Sequence, residues 1–130
     1  MKVKTVDRSR IRLLAEKAGT PLTDAVLKAY KKGAERGLKP VTVFAACPNS
    51  EAVTRAAIRS AKLNGAPIKY AATLNQVDLD GGYTGWTQEQ FVSLVRDEVA
   101  RTEFTGPVIV ALDHGGPWLK DMKALDCEVL

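Results

Sequence analysis

The chain has 130 residues, of which 45% are hydrophobic and 26% are charged, and its formal net charge at pH 7 is +4. This balance is typical of one globular domain, or of part of one, and it excludes a disordered protein. No apolar run approaches the ~18 residues of a membrane-spanning helix and the N-terminus is too charged for a signal peptide, so we expect a cytoplasmic protein without a membrane partner.

Residues 1–40 form a basic arm with 11 Lys and Arg against 4 acids, whereas the rest of the chain has 8 bases against 11 acids. Apolar spacing predicts two helices in this arm. The first runs from about Arg8 to Ala18, and the second has Thr20 as its N-cap and Pro21 at its first position. The arm fits either a polyanion-binding module or the solvated faces of ordinary helices. It has one aromatic residue and no recognition-helix signature, so nucleic acid is not the expected partner.

Three later segments each begin with a proline and continue with apolar, partly β-branched residues. Proline is tolerated at the first residue of a strand, where its missing N–H takes no bond from the ladder. We therefore predict strands near residues 41–47, 68–75 and 108–113. The third strand is a buried apolar run that ends in an acid and the single histidine of the chain.

A turn and a helix follow each predicted strand. The first helix runs from about Glu51 to Asn64, is capped by Asn49 or Ser50, and packs through Val53, Ala57 and Ala61. The second begins with a capping box and has an apolar inner face; the residues are Thr87 and Gln90 for the box, and Phe91, Leu94, Val95 and Val99 for the face. A third helix starts after Pro117.

Alternating strands and helices predict an α/β fold with a parallel sheet in sequential order and right-handed crossovers. Three βα units are too few to close a barrel, which takes eight units and ~250 residues. The chain is therefore either a small open sheet or the first part of a larger domain. We divide it into a basic helical segment, residues 1–39, and an incomplete α/β domain, residues 40–130.

The loop after the second strand is rich in amides and glycines, with Asn75, Gln76, Gly81 and Gly82. Loops at this end of a strand often carry function, and glycines let backbone N–H groups turn toward an oxyanion or a sugar hydroxyl. The alternative is a hairpin-like turn in which Tyr83 and Trp86 pack on the next helix. Both interpretations stay open on the sequence.

Asp113 and His114 end the third strand, at the edge where ligands of α/β folds gather. The alternative is a polar strand end in which His114 is hydrogen-bonded to the backbone. Cys47 ends the first strand, and because it forms no Cys-x-x-Cys pair with Cys127, we expect reduced thiols and no disulfide. Lys69 lies by period two on the face opposite Ile68, where it either meets a phosphate or extends into solvent.

Several of these motifs occur together and in order: Asn75-Gln-Val, Gly81-Gly-Tyr-Thr-Gly, and Asp113-His114 followed by Gly116-Pro117. Over about Val41 to Asp121 they resemble the non-catalytic subunit family of class II D-tagatose-1,6-bisphosphate aldolase. The resemblance implies a TIM barrel of which residues 40–130 are the first three βα units. The chain departs from the family pattern at Ser50 and Ala71, where the family has His or Asn and Glu, respectively.

The resemblance implies that Asp113 is the catalytic acid or base and that His114 is a ligand of a divalent metal, commonly zinc. Such a metal polarises a ketose carbonyl and stabilises an enediolate. Because one histidine cannot hold a metal, further ligands have to come from later strands. The residues implied in binding a sugar phosphate are Cys47, Lys69, Asn75, Gln76, Gly81 and Gly82.

Three functions stay open: an aldolase-family subunit that acts on a sugar phosphate, a non-catalytic partner that stabilises another aldolase subunit, and a polyanion-binding module formed by residues 1–40. The open sheet edges and an apolar inner face lead us to expect an isolated chain that self-associates and has negligible aldolase activity. The residues expected on that inner face are Val41, Val43, Phe44, Val108 and Val110.

Overall fold

A computed structural model describes residues 9–39 and 42–114. The elements in chain order are α1 (Ser9–Ala18), α2 (Leu22–Glu35), β1 (Phe44–Ala46), α3 (Glu51–Asn64), β2 (Ile68–Thr73), a 3₁₀ turn (Gly82–Thr84), α4 (Gln88–Thr102) and β3 (Val108–Asp113). The helix predicted after Pro117, and Cys127, lie outside the described residues. None of the helices in the described ranges is both long and apolar enough to cross a bilayer.

The three strands form one parallel sheet in the order β1-β2-β3, which confirms the predicted α/β class and the sequential order. The strand β1 is shorter than predicted: it begins at Phe44, whose register partner is Ile68. The residue before Ile68 is Pro67, which has no N–H to extend the ladder. The strand β2 ends at Thr73, where the chain turns and the N–H of Gln76 donates to the Thr73 carbonyl over 2.9 Å.

The capping residues in the sequence predicted most of the helix ends correctly. The Ser50 side chain caps α3 by accepting from the Val53 N–H, and Thr87 and Gln90 form the reciprocal capping box of α4. The prediction of Thr20 as the N-cap of α2 is wrong. Pro21 occupies that position and makes no side-chain cap bond, since its ring has no acceptor. Its ψ of 144° is extended, so the helix begins one residue later than predicted.

The core lies between one face of the sheet and the helices α3 and α4. Its buried members are Ala46, Ala57, Ile58, Ala61, Ile68, Tyr70, Ala72, Val77, Phe91, Val95 and Phe104. Tyr70 is fully buried, donates its hydroxyl to the Thr54 carbonyl over 2.6 Å, and meets the Phe91 ring edge-on. The predicted packing of Val53 is wrong, since its side chain is exposed. The buried positions 54, 57, 58 and 61 follow helical spacing and leave residue 53 off that face.

The opposite, inner face of the sheet is less apolar than predicted. Register pairs in a parallel sheet share a face, and Phe44, Val108 and Val110 pair with Ile68 or Tyr70 of the helix face. Their predicted inner-face position is therefore wrong. The inner face instead presents Ala45, Lys69, Ala71, Thr73, Ile109, Ala111 and Asp113. The expected self-association stays a prediction.

The helices α1 and α2 pack together, with Ala15 and Val26 buried. The Arg12 side chain donates to the Gly106 carbonyl over 3.2 Å, which joins α1 to the residues just before β3. The N-terminal segment thus contacts the α/β unit. The division into residues 1–39 and 40–130 stays a prediction.

A buried carboxylate joins α3 to α4. Glu98 is 3% exposed, and its two oxygens accept from Arg55 of α3, over 2.9 Å, and from Arg101 of its own helix. Burial acts to raise the pKa of Glu98, but the hydrogen bonds and charges of Arg101 and Arg55 outweigh burial and hold this pKa below its ordinary value of 4.5. Ionised Glu98 therefore stabilises the fold.

The lowered pKa predicts an acid-sensitive link. The folded-state pKa lies below the unfolded-state value, so the stabilisation is complete above pH 4.5 and is lost as the pH falls through the folded-state pKa. Glu98→Gln should lower the free energy of unfolding at pH 7 by about 1–3 kcal/mol and should flatten its decline in acid. Urea unfolding between pH 3 and 7 measures both effects. The control is Glu89→Gln, an exposed acid on the same helix, and equal effects in the two variants would contradict the prediction.

Candidate functional site

The parallel topology brings most of the predicted site residues to the carboxyl end of the sheet. Cys47 directly follows β1, Asn75 and Gln76 follow β2, and Asp113 and His114 lie at the end of β3. Neighbouring strands are ~4.8 Å apart, so these strand ends are adjacent. Their grouping around one pocket stays a prediction.

Asp113 lies beside Thr73, its register partner on the inner face. Its side chain is half exposed, and its Oδ1 accepts from the backbone N–H of His114 over 3.1 Å. The second oxygen, Oδ2, is 3.9 Å from His114 Nε2. The sheet thus presents an open carboxylate with an imidazole next to it.

His114 has a φ of +53°, a left-handed conformation that costs energy in a residue with a side chain. Such backbone conformations concentrate at functional sites, where the surrounding structure maintains them. The imidazole is 69% exposed.

Gln76 lies at the same end but is almost fully buried, with 6% exposure. Its Oε1 accepts from the backbone N–H of Thr73 over 2.8 Å, and its Nε2 donates to the carbonyl of Pro48 over 3.3 Å. The side chain thus connects the segment after β1 to the end of β2. Sequence reasoning did not single out Pro48, although a buried amide has to find partners of this kind.

The loop after β2 is held by its own backbone. The carbonyl of Asn75 accepts from the N–H of Tyr83, and the carbonyl of Gln76 accepts from the N–H and hydroxyl of Thr84. The N–H groups of Gly81 and Gly82 donate to the Asp78 carbonyl and to the Asp80 side chain. Because both glycine N–H groups have partners inside the loop, their role in binding a ligand stays a prediction.

The alternative interpretation of this loop, packing on the next helix, is half correct. Trp86 stacks on Phe91 of α4 with ring centroids 5.9 Å apart. Tyr83, in contrast, is 65% exposed, so its predicted packing is wrong. Tyr83 lies within the 3₁₀ turn Gly82–Thr84, whereas Trp86 follows the turn.

Two further candidate site residues, Cys47 and Lys69, lie at different distances from the carboxyl ends of the strands. Cys47 is an exposed free thiol next to β1. Lys69 is on the inner face as predicted, but it is the second residue of β2, ~13 Å along the strand from Thr73. The structure therefore does not bring Lys69 to the carboxyl edge, and its role in substrate binding stays a prediction.

Within residues 9–39 and 42–114, no group of three His, Cys, Asp or Glu side chains is arranged to hold a metal ion. Asp113 and His114 supply two potential ligands. A structural or catalytic zinc takes at least three protein ligands. The described residues therefore do not fit a complete metal site.

The loop geometry gives a prediction about Gly82. A Cβ atom there would lie 2.6 Å from the Gln76 carbonyl oxygen and 2.7 Å from that of Asn75, at a φ of +52°. Gly82→Ala should lower the free energy of unfolding by about 2–4 kcal/mol, because steric overlap adds to backbone strain. Gly85→Ala is the matched control, with a φ of +79° and nothing within 4 Å of its Cβ.

Thermal melts of the two variants separate strain from overlap. Gly85→Ala should cost about 1–2 kcal/mol from strain alone. Equal melting temperatures for the two variants would show that the loop moves away from residue 82 without cost, and the close packing of Gly82 against Asn75 and Gln76 would be rejected.

Comparison with known proteins identifies relatives whose names refer to tagatose 6-phosphate. The D-tagatose 6-phosphate 4-epimerase of Agrobacterium fabrum is 36% identical over 85 residues, which cover 65% of this chain and 20% of the epimerase. A crystal structure of a probable tagatose 6 phosphate kinase from Sinorhizobium meliloti 1021 is similar, with a TM-score of 0.52 and 37% identity. That match covers 59% of this chain and 20% of the other. This chain thus spans about a fifth of the length of either relative.

The family model described as D-tagatose-1,6-bisphosphate aldolase subunit GatZ/KbaZ-like matches residues 26–126. The match begins inside α2, includes all three strands, and contains the loop after β2 together with Asp113 and His114. It covers most of the chain. The chain therefore belongs to the GatZ/KbaZ-like family of D-tagatose-1,6-bisphosphate aldolase subunits.

Proposed function

We propose that this chain is the first part of a cytoplasmic (β/α)8 barrel that binds a ketohexose phosphate of the tagatose type at the carboxyl ends of its strands. The observation that carries the proposal is the register pair of Thr73 and Asp113, with His114 in a left-handed conformation next to it. This pair sets a hydroxyl and a carboxylate side by side at the open edge of the sheet. In barrels of this class, substrates bind at that edge.

The substrate class is better supported than the reaction. The family description names an aldolase subunit, and the two relatives are named as an epimerase and a probable kinase. All three names contain a tagatose phosphate, whereas the reactions differ. Fold alone does not specify a reaction, so the shared substrate is the inference that the comparisons support together.

Within that class we propose aldol cleavage, with Asp113 as the base. Cleavage of a ketose bisphosphate transfers the proton of the C4 hydroxyl group to a base. The C3–C4 bond then breaks, C4 becomes an aldehyde, and the electron pair moves onto the C2 carbonyl oxygen as an enediolate. The half-exposed Asp113 carboxylate can accept that proton, and the Thr73 hydroxyl is placed to hold a neighbouring sugar oxygen.

A divalent metal, zinc as the family resemblance suggests, would stabilise the enediolate oxygen when bound. We propose His114 as one ligand, with the others outside the described residues. The steps that we assign to this chain's own residues are binding and orientation of the sugar and acceptance of the proton at Asp113.

A second candidate is an assembly role, in which the chain stabilises a catalytic aldolase subunit. The family description as a subunit favours it. Phe44, Val110 and Leu112, exposed on the helix face of the two edge strands, offer apolar surface to a partner. In this role the chain does not need to bind a sugar phosphate, so the absence of binding in the titration below would favour assembly.

The test is an NMR titration of the 130-residue chain with D-tagatose 6-phosphate, with D-tagatose and inorganic phosphate as separate controls. We expect the largest amide shifts at Thr73, Asn75 and Asp113, and small shifts in α1 and α2. Asp113→Asn should weaken binding about 10-fold, because it removes a charge-assisted hydrogen bond to the sugar.

Asp97→Asn, an exposed acid of α4, is the matched control and should bind as the wild type does. Equal binding by Asp113→Asn and Asp97→Asn would reject the assigned site. Shifts confined to α1 and α2, reproduced by inorganic phosphate, would instead support the polyanion-binding alternative for residues 1–40.

A further inference from the structure

We propose that Gln76 is a positioning residue of the sugar-phosphate site: its buried amide fixes the spacing between the ends of β1 and β2 and does not contact the sugar. The inference deepens the proposed function and rests on it for its binding measurement. Its structural part, the coupling of the two strand ends, is measured independently.

Both the oxygen and the nitrogen of the Gln76 side-chain amide are hydrogen-bonded within the protein. Its oxygen accepts from the N–H of Thr73 over 2.8 Å, and its nitrogen donates to the carbonyl of Pro48 over 3.3 Å. With 6% of the residue exposed, almost no surface is left for a ligand. Pro48 is itself fully buried, so water does not replace the amide without rearrangement.

These two hydrogen bonds require a side chain that carries both an acceptor and a donor, as glutamine does. The Thr73 N–H needs an acceptor and the Pro48 carbonyl needs a donor, and a carboxamide carries both on one end of a side chain. An ionised glutamate offers two acceptors and would face the Pro48 oxygen with like charge. Methionine has a similar volume but makes neither bond, so it would leave two buried backbone groups unsatisfied.

The two bonds reach the residues that we assign to the site. Pro48 lies between Cys47 and the N-cap of α3, Ser50. Thr73 is the register partner of Asp113. A change in the Gln76 amide would therefore move the segment after β1 relative to the Thr73 and Asp113 pair.

The backbone of Gln76 extends this coupling to the glycine loop. Its carbonyl accepts from the N–H and the hydroxyl of Thr84, and Gly82 packs against the same oxygen. One residue thus connects the end of β1, the end of β2 and the loop between β2 and α4. Small displacements of such a frame weaken binding strongly, since geometry at a site tolerates little error.

The test compares Gln76→Met and Gln76→Glu with Gln88→Glu, a matched control in the first turn of α4. Gln76→Met should weaken binding of D-tagatose 6-phosphate about 10-fold and keep a cooperative melt. It should also shift the amide signals of Ser50 and Leu74, on the two sides of the connection. Gln88→Glu should change neither.

The pH dependence of binding distinguishes a positioning role of Gln76 from a general loss of stability in the variant. In Gln76→Glu, the protonated acid can donate to Pro48 while it accepts from Thr73, whereas the ionised form cannot donate. Burial beside the Pro48 carbonyl oxygen raises the pKa of the introduced carboxyl above its ordinary value. The loss of binding relative to the wild type should therefore be larger at pH 8 than at pH 5. A loss that is equal at both pH values would overturn the proposal, and so would wild-type affinity in Gln76→Met.

Two further outcomes are decisive. If the wild-type chain does not bind D-tagatose 6-phosphate, the proposed function fails, and the amide shifts of Ser50 and Leu74 alone decide the coupling. If neither Gln76 variant folds, hydrogen exchange of the wild-type chain tests whether the Gln76 amide connects the two strand ends. Side-chain amide protons of Gln76 that exchange much more slowly than those of Gln88 support the connection, and equally fast exchange overturns it.

Discussion

The fold depends on the burial of Tyr70 at the centre of β2. Its hydroxyl donates to the Thr54 carbonyl of α3, and its ring meets Phe91 of α4 edge-on. Burial and the nearby Glu98 carboxylate raise the pKa of Tyr70 from 10.0 to about 12, so the hydroxyl stays a neutral donor even in alkaline solution. One side chain thus holds both helices on the same face of the sheet and leaves the other face with Lys69, Thr73 and Asp113.

The sequence was sufficient for features that local residues determine. The extent of α3, the capping box of α4 and the extent of β3 each follow from side chains within a few residues of the feature. The position of Asp113 at the carboxyl edge followed as well, since parallel order leaves no other place for it. The family relationship was recognisable because several motifs occur in a fixed order.

The features that the sequence did not predict depend on contacts between distant residues. Val53 and Thr54 are adjacent, and the face of α3 that packs on the sheet, not the polarity of the two residues, decides that Thr54 is buried and Val53 is exposed. The register of β1 and β3 against β2 decides that Phe44 and Val110 are on the helix face. Gln76 and Pro48 are 28 residues apart, so a pattern within the loop contains no sign of their hydrogen bond. Burial and register are properties of the packed sheet.

The hydrogen bond from Arg12 to the Gly106 carbonyl joins residues that are 94 positions apart. A contact of that sequence separation has to close a long loop, and such contacts form late because the entropy of loop closure is lost before the contact contributes. During synthesis, α1 is made well before its partner, because Gly106 is added only when the chain has reached the start of β3. We therefore expect the contact between Arg12 and Gly106 to form later than the packing of α3 and α4 around Tyr70.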